Sequence, residues 1–280
     1  MPALKSVYVS AYITGSLAGC ALAIVMTARA GFGSPWPGAV LACAAPLAFF
    51  ATVYALPIAR TSPHLRPVLA AGVVGTVVSL VRGGAFAAPT VLAAVVGVVG
   101  TLVYVHWYSR FGAPANDVLR EGKTLPDLTL VEHGREVASA ALVATPALWI
   151  FYRGNWCPLC VAQVREIAAQ YRELARRGVE VFLVSPQPEA NTAALAAKCD
   201  APIRFLTDRD NRAAEVLGIR ERFGVPAGMQ ALGYDSDAPR PTVFITATGG
   251  RILYCDLTHN YRVRPEPAQY FAVLDRFAIA

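Results

Sequence analysis

The sequence predicts two bodies, an α-helical membrane region of about four transmembrane helices and a C-terminal α/β domain. Three observations predict this. Only 16% of the 280 residues are charged while 55% are hydrophobic, and mean hydropathy is +0.43, too apolar for a wholly soluble chain of this size. The long apolar runs all fall in the first 111 residues, and polar residues arrive abruptly after Gly112. The later part alternates short apolar runs with helical patterns, as a sheet with crossover helices does.

Val7 to Ala28 is an almost unbroken apolar run of 22 residues. At about 1.5 Å per residue it crosses a hydrocarbon core of about 30 Å. A signal peptide is the alternative, since Lys5 precedes the run and Ala28 and Ala30 are small, but similar runs follow it. Residues 38–59 read as a second span, 67–81 as a shorter third and 85–108 as a fourth. The third, 15 residues long, also fits a re-entrant or buried stretch. Trp107 and Tyr108 end the fourth as interface aromatics do.

With four spans, Lys5, Arg60, Arg66, Arg110, Arg120 and Lys123 face one side, and Arg29 and Arg82 the other. That asymmetry predicts a multi-pass cell-membrane protein with its C-terminal domain on the cytoplasmic side; three spans would reverse the domain. The net charge of +6 comes from scattered single Arg residues without a basic run. It indicates a lipid membrane as partner and not nucleic acid.

The domains are expected at 1–111 and 113–280. Pro114, Asn116, Asp117, Arg120, Glu121 and Lys123 mark the linker. Beyond it the pattern predicts strands at 128–132 and 147–152, a helix over 158–176 ending at Gly178, and a strand over 179–184. Strand, helix, strand implies parallel pairing. A helix at 189–198, a strand at 203–206 and a helix at 211–217 follow. Strands 242–246 and 251–255 flank the turn residues Gly249 and Gly250, and a helix over 267–277 ends the chain.

Six cysteines are too few for a disulfide scaffold, so spacing matters more than number. Cys20 and Cys43 lie in apolar spans and read as packing. Cys255 alternates within a strand as a core residue does, and Cys199 sits in a loop as a distant candidate resolving thiol. Cys157 and Cys160 form the one CxxC pair, where a buried strand passes into a helix. Unpaired N–H groups and the helix dipole stabilise a thiolate there, and one helical turn brings the two sulfurs close enough for reversible disulfide formation. Half of a zinc site is the structural alternative, but no second CxxC or close Cys/His pair completes it; a chance, inert pair is another. No metal or organic cofactor is expected.

At these residues the chain resembles the thioredoxin superfamily, and more closely its redoxin or peroxiredoxin-like branch, the alkyl hydroperoxide reductase/thiol-specific antioxidant type. Gly122 to Leu130 with its Pro-Asp, Phe151 to Cys160, Asp208 to Ile219 and Arg240 to Gly249 carry the likeness, which covers about three fifths of the chain. It implies a thioredoxin-like fold for the α/β domain. Laid on the peroxiredoxin loop, Cys160 takes the place of the peroxide-attacking cysteine. Arg153 stands where the family has Pro, and Cys157 where it has Thr. Trp156-Cys157-Pro158-Leu159-Cys160 instead resembles the thioredoxin loop, in which the first cysteine attacks and a cis-proline faces the pair. Pro241 is the residue matching that proline. Arg240 matches the peroxiredoxin Arg that stabilises the thiolate, Arg153 is a second candidate cation, and Trp156 is a candidate for shaping the substrate surface.

The resemblance implies a thiol-dependent oxidoreductase with antioxidant activity, cycling a Cys157/Cys160 dithiol and disulfide to reduce peroxide. A protein disulfide reductase is the alternative. Electrons would come from a thioredoxin- or glutathione-like thiol donor. A reading of another class makes the helices a transport or binding module and the domain a redox sensor, but no charged residue lies mid-span to mark a path.

Overall fold

A computed structural model describes residues 2–112, 116–199 and 201–279. Ala113 and Pro114 of the expected linker, and Asp200 beside Cys199, lie outside the described residues. The chain divides into two units, one made of Leu4–Leu56 and Thr61–Arg110, the other of Met1–Ala3, Pro57–Arg60 and Phe111–Ala280.

The first unit is helical: α1 (Pro2–Ala30), α2 (Trp36–Ala55), α3 (Arg66–Gly83) and α4 (Ala88–Tyr108), each long and apolar enough to cross a membrane. Prolines punctuate them. Pro67 and Pro89 stand in the first turns of α3 and α4, where the missing N–H has no helical partner to lose. The third helix has 18 residues, longer than the 15 expected, because Arg66, Arg82 and Gly83 at its ends are helical too. The helices meet backbone to backbone: a Cβ added to Gly72 would collide with the Gly97 carbonyl, and one added to Gly38 with the Gly75 carbonyl. Small residues allow this close approach in lipid. At one end Tyr8 stacks on Tyr12 with ring centroids 5.6 Å apart, and Tyr104 on Tyr108 at 5.5 Å.

The second unit is built on a seven-stranded sheet, ordered β2-β1-β5-β4-β3-β8-β9. The strands are β1 (Thr129–Glu132), β2 (Arg135–Ala138), β3 (Ala147–Phe151), β4 (Glu180–Ser185), β5 (Arg204–Thr207), β8 (Thr242–Thr246) and β9 (Ile252–Leu257), with a separate pair β6 (Arg220–Glu221) and β7 (Ala238–Pro239). The helices are α5 (Ser139–Leu142), α6 (Pro158–Arg176), α7 (Glu189–Ala196), α8 (Arg212–Val216) and α9 (Pro267–Arg276). Central strands β3, β4 and β5 are parallel, and β8 runs antiparallel to β3. The predicted crossover is therefore present, and the chain ends in the predicted β8–β9 pair, turned through Gly249 and Gly250, both at positive φ.

All five β3 residues are buried. Trp149 and Phe151 share a core cluster with Phe182, Phe244 and Leu217, and Trp149 Nε1 donates to Thr246 Oγ1 at 3.0 Å. Leu148 and Ile150 alternate to the opposite face. The amphipathic helix α6 buries Val164, Ile167 and Leu174, and α9 buries Tyr270 and Leu274.

Several short elements are absent from the sequence reading, among them the helix α5. The hairpin partner β2 was not expected: it turns back through His133 and Gly134, both at positive φ, and a His in place of the usual Asn hid the turn. Residues 220–239, without predicted strands, pair as β6 and β7 and set the path of the chain into Arg240.

Candidate active site

The active-site loop leaves the buried end of β3 and enters α6. Gly154 has φ +133°, a conformation that side chains disfavour, and the turn lets Cys157 N donate to Gly154 O at 3.2 Å. Cys157 is the N-cap of α6, Pro158 opens its first turn, and Cys160 lies within that turn. The loop is tied down by Gln187. Its Oε1 accepts from Asn155 N at 2.8 Å, and its Nε2 donates to Tyr152 Oη at 3.0 Å, Asn155 Oδ1 at 3.2 Å and Thr192 Oγ1 at 3.3 Å.

Neither cysteine is in a disulfide, and both are buried, Cys157 at 2% and Cys160 at 0% exposure. The cation beside them is Arg264. Its Nη2 lies 3.3 Å from Cys160 Sγ and 3.9 Å from Cys157 Sγ. The guanidinium is aimed by Gln163 Oε1, which accepts from Nη1 at 2.6 Å, and by the Tyr261 carbonyl, which accepts from Nε at 3.1 Å.

This geometry separates the two thiols. Burial opposes ionisation of Cys160, but the hydrogen bond from Cys157, the Arg264 charge and the Arg153 backbone N–H outweigh it and hold its pKa well below the usual thiol range. Donating that hydrogen bond, together with burial, pushes Cys157 well above it. The two shifts run in opposite directions and favour ionisation of Cys160 over Cys157.

The predicted site residues divide. Arg153 is buried beside the pair: its Nη2 donates to the Gly224 carbonyl, and its guanidinium lies 4.5 Å from the Trp156 ring centroid and 5.1 Å from that of Tyr261. Trp156 therefore packs on Arg153, and its Nε1 donates to the Arg153 carbonyl at 3.1 Å. Arg240 does not take the expected place as the thiolate's cation. Glu221 Oε1 accepts from its Nε at 2.9 Å and its Nη2 at 2.7 Å, and the guanidinium lies over Phe111. The reason is local, since β6, which carries Glu221, pairs with β7 directly before Arg240. Pro241 is buried at the start of β8, but no cis peptide bond occurs among the described residues. It is therefore not a cis-proline.

Cys199 is half-exposed in a groove of about 330 Å³ with Asn155, Val161, Arg165 and Lys198. Burial pushes the Cys255 thiol up to about 12, with the Asp256 and Glu121 charges adding to it. Among the described residues no three His, Cys, Asp or Glu side chains gather as a metal site requires.

Arg264 and Gln187 were missed by the sequence reading. Arg264 lies in the irregular stretch between β9 and α9, 104 residues from Cys160. The available signal was a cluster of basic residues, Arg262 and Arg264, among Tyr, Val and Pro, a setting that favours burial of the side chains.

Residues 122–255 match the model of the AhpC/TSA family. No curated protein matches the chain. Among solved structures, peroxidoxin BcpB from Mycobacterium tuberculosis is 17% identical, over 57% of this chain and 97% of its own, with a TM-score of 0.46. Prx3 from Vibrio vulnificus, solved reduced and in complex with hydrogen peroxide, is 18% identical over 55% and 99%, at 0.47. Enterococcus faecalis AhpC is 15% identical over 56% and 92%, at 0.45. The cysteine pair opens a helix that follows a buried central strand, and residues 122–255, which include that strand and helix, are similar to the AhpC/TSA family.

Proposed function

We propose that the chain is a membrane-anchored thiol peroxidase in which Cys160 attacks peroxide and Cys157 resolves it. The observation that carries this is the Arg264 guanidinium 3.3 Å from Cys160 Sγ, which with the Cys157 hydrogen bond makes Cys160 the ionised sulfur. The thiolate attacks one peroxide oxygen: an S–O bond forms, the O–O bond breaks, and the departing alkoxide or hydroxide takes up a proton. Cys160 is left as a sulfenic acid. The Cys157 thiol then attacks Cys160 Sγ, forming the disulfide and releasing water. Two electrons from a thioredoxin- or glutathione-like thiol donor return the pair to the dithiol.

The burial of both sulfurs supports a small oxidant over a protein disulfide. A thioredoxin-type reductase would instead call for an accessible, ionised first cysteine, whereas here Cys157 is buried and protonated. The four apolar helices serve as the membrane anchor. The basic residues around them favour a cytoplasmic domain, where thiol donors are held reduced.

The test uses the full-length chain in detergent with hydrogen peroxide and a sulfenate-trapping reagent. Cys157→Ser is expected to trap a sulfenate on Cys160, and Cys160→Ser to lose peroxide consumption altogether. Insulin reduction, with a mixed disulfide trapped on Cys157 in Cys160→Ser, would overturn the reading in favour of a disulfide reductase.

A further inference from the structure

The unit that carries the cysteine pair also contains Pro57–Arg60, a segment that lies in sequence between α2 and α3. Arg60 is the informative residue there. Its Nη1 and Nη2 donate to Glu166 Oε1 at 2.9 Å and Oε2 at 2.5 Å, a two-pronged ion pair. The same guanidinium donates through Nε to the Arg264 carbonyl at 3.3 Å and through Nη2 to the Pro265 carbonyl at 3.1 Å. Both charged side chains are about three quarters buried, at 26% and 29% exposure, so this is more than a solvated surface pair.

Gln163 and Glu166 sit on one face of α6, three and six positions beyond Cys160, where residues at this spacing are neighbours. Gln163 holds the tip of Arg264 and Glu166 holds Arg60, which in turn holds the backbone of Arg264. The two grips tie one stretch of irregular chain to the helix that bears the sulfur. Arg264 needs both: its backbone has no ladder of its own, and a guanidinium displaced by about 1 Å at a hydrogen-bonded thiolate loses much of the bond.

We propose that Arg60 is a positioning residue of the redox centre, clamping the backbone of Arg264 to α6 so that its guanidinium stays on Cys160. The proposal rests on Cys160 being the ionised sulfur and extends the site to a residue far upstream of the family-matched region. The charged and titratable groups around Cys160 are Cys157, Arg153 and Arg264, with Tyr152 also facing it from the end of β3. Arg60 acts on it through Arg264. An arginine suits the task, because its planar fork spans a carboxylate and two carbonyls where a lysine ammonium cannot.

The experiment follows alkylation of Cys160 by iodoacetamide against pH in the full-length chain in detergent, with the modified peptide quantified by mass spectrometry. It reads the thiolate whether or not the protein consumes peroxide, so failure of the peroxidase reading leaves it intact. In Arg60→Gln the midpoint is expected to rise by about one pH unit, a roughly tenfold loss of thiolate below it. Glu166→Gln, which keeps every charge on the Arg264 stretch, is expected to shift it the same way by less. Arg60→Lys is expected to behave like Arg60→Gln. Wild-type midpoints in Arg60→Gln and Glu166→Gln, with thermal melts showing both folded, would overturn the proposal. A wild-type midpoint in Arg60→Lys alone would overturn it too, because charge and not position would then be what matters.

Discussion

Arg264 Nη2 stands 0.6 Å closer to Cys160 Sγ than to Cys157 Sγ, at 3.3 Å against 3.9 Å, with all three residues buried. Where the dielectric is low, such an asymmetry is enough to choose which sulfur ionises. The direction agrees with the proposed roles, in which the C-terminal sulfur is the nucleophile and Cys157 donates the hydrogen bond that steadies it.

Arg264→Met should therefore cost more than any other single change outside the cysteines. A hydrogen bond to a charged group contributes about 1.5–3 kcal/mol, which is about 10- to 100-fold in Cys160 thiolate at a pH below its midpoint. Arg240→Gln is expected to leave that midpoint within about twofold of wild type in thiolate. Its loss of the Glu221 pair should show instead as about 1–2 kcal/mol of stability in a denaturant melt. Parallel alkylation curves of the two variants check this, and a larger thiolate loss in Arg240→Gln would restore Arg240 as the thiolate's cation.

Gln187→Ala removes a single side chain that accepts from Asn155 N and whose Nε2 lies within hydrogen-bonding range of the Tyr152 hydroxyl, Asn155 Oδ1 and the Thr192 hydroxyl. About 1 kcal/mol of stability should be lost for each hydrogen bond removed. The Trp156-Cys157 turn should exchange its amide protons faster. Hydrogen exchange of peptides spanning 152–160 is the measurement, and unchanged protection there would show that β3 and α6 hold the loop without Gln187.

Burial pushes the Asp208 carboxyl up to about 6, against the pull of the Ala213 and Ala214 backbone N–H groups that it accepts. In the unfolded chain an aspartate titrates near about 3.9. The folded protein thus holds the extra proton between the two values. The stability contributed by the protonated carboxyl is complete below about pH 4 and is lost as pH rises through about 6, on the order of 1–3 kcal/mol. Wild type should weaken relative to Asp208→Asn over that window in denaturant melts, and a pH-independent difference would refute it.

The helix Pro158–Arg176 and the strand Thr242–Thr246 were legible to the residue, because an amphipathic period and a run of five buried residues are strong local signals. The CxxC pair was legible for the same reason, lying at a sharp change from apolar run to helix. Arg264 was not, because its role arises from a contact across 104 positions in a stretch without periodicity. Arg240 misled because a motif position fixes where the backbone goes but not which way a long side chain turns. Here an acidic neighbour on an unpredicted short strand captured it. Gln187 follows the same rule, since its four bonds span three separate elements.

The glycines of the helical unit also bear on what those helices can be. Where Gly72 meets Gly97 and Gly38 meets Gly75, main chain lies against main chain, and no side chains are left between them to line a passage. Wall thickness there is a single layer of peptide groups, already hydrogen-bonded within their own helices. At these two crossings the paired helices leave no room for even a methyl group between them.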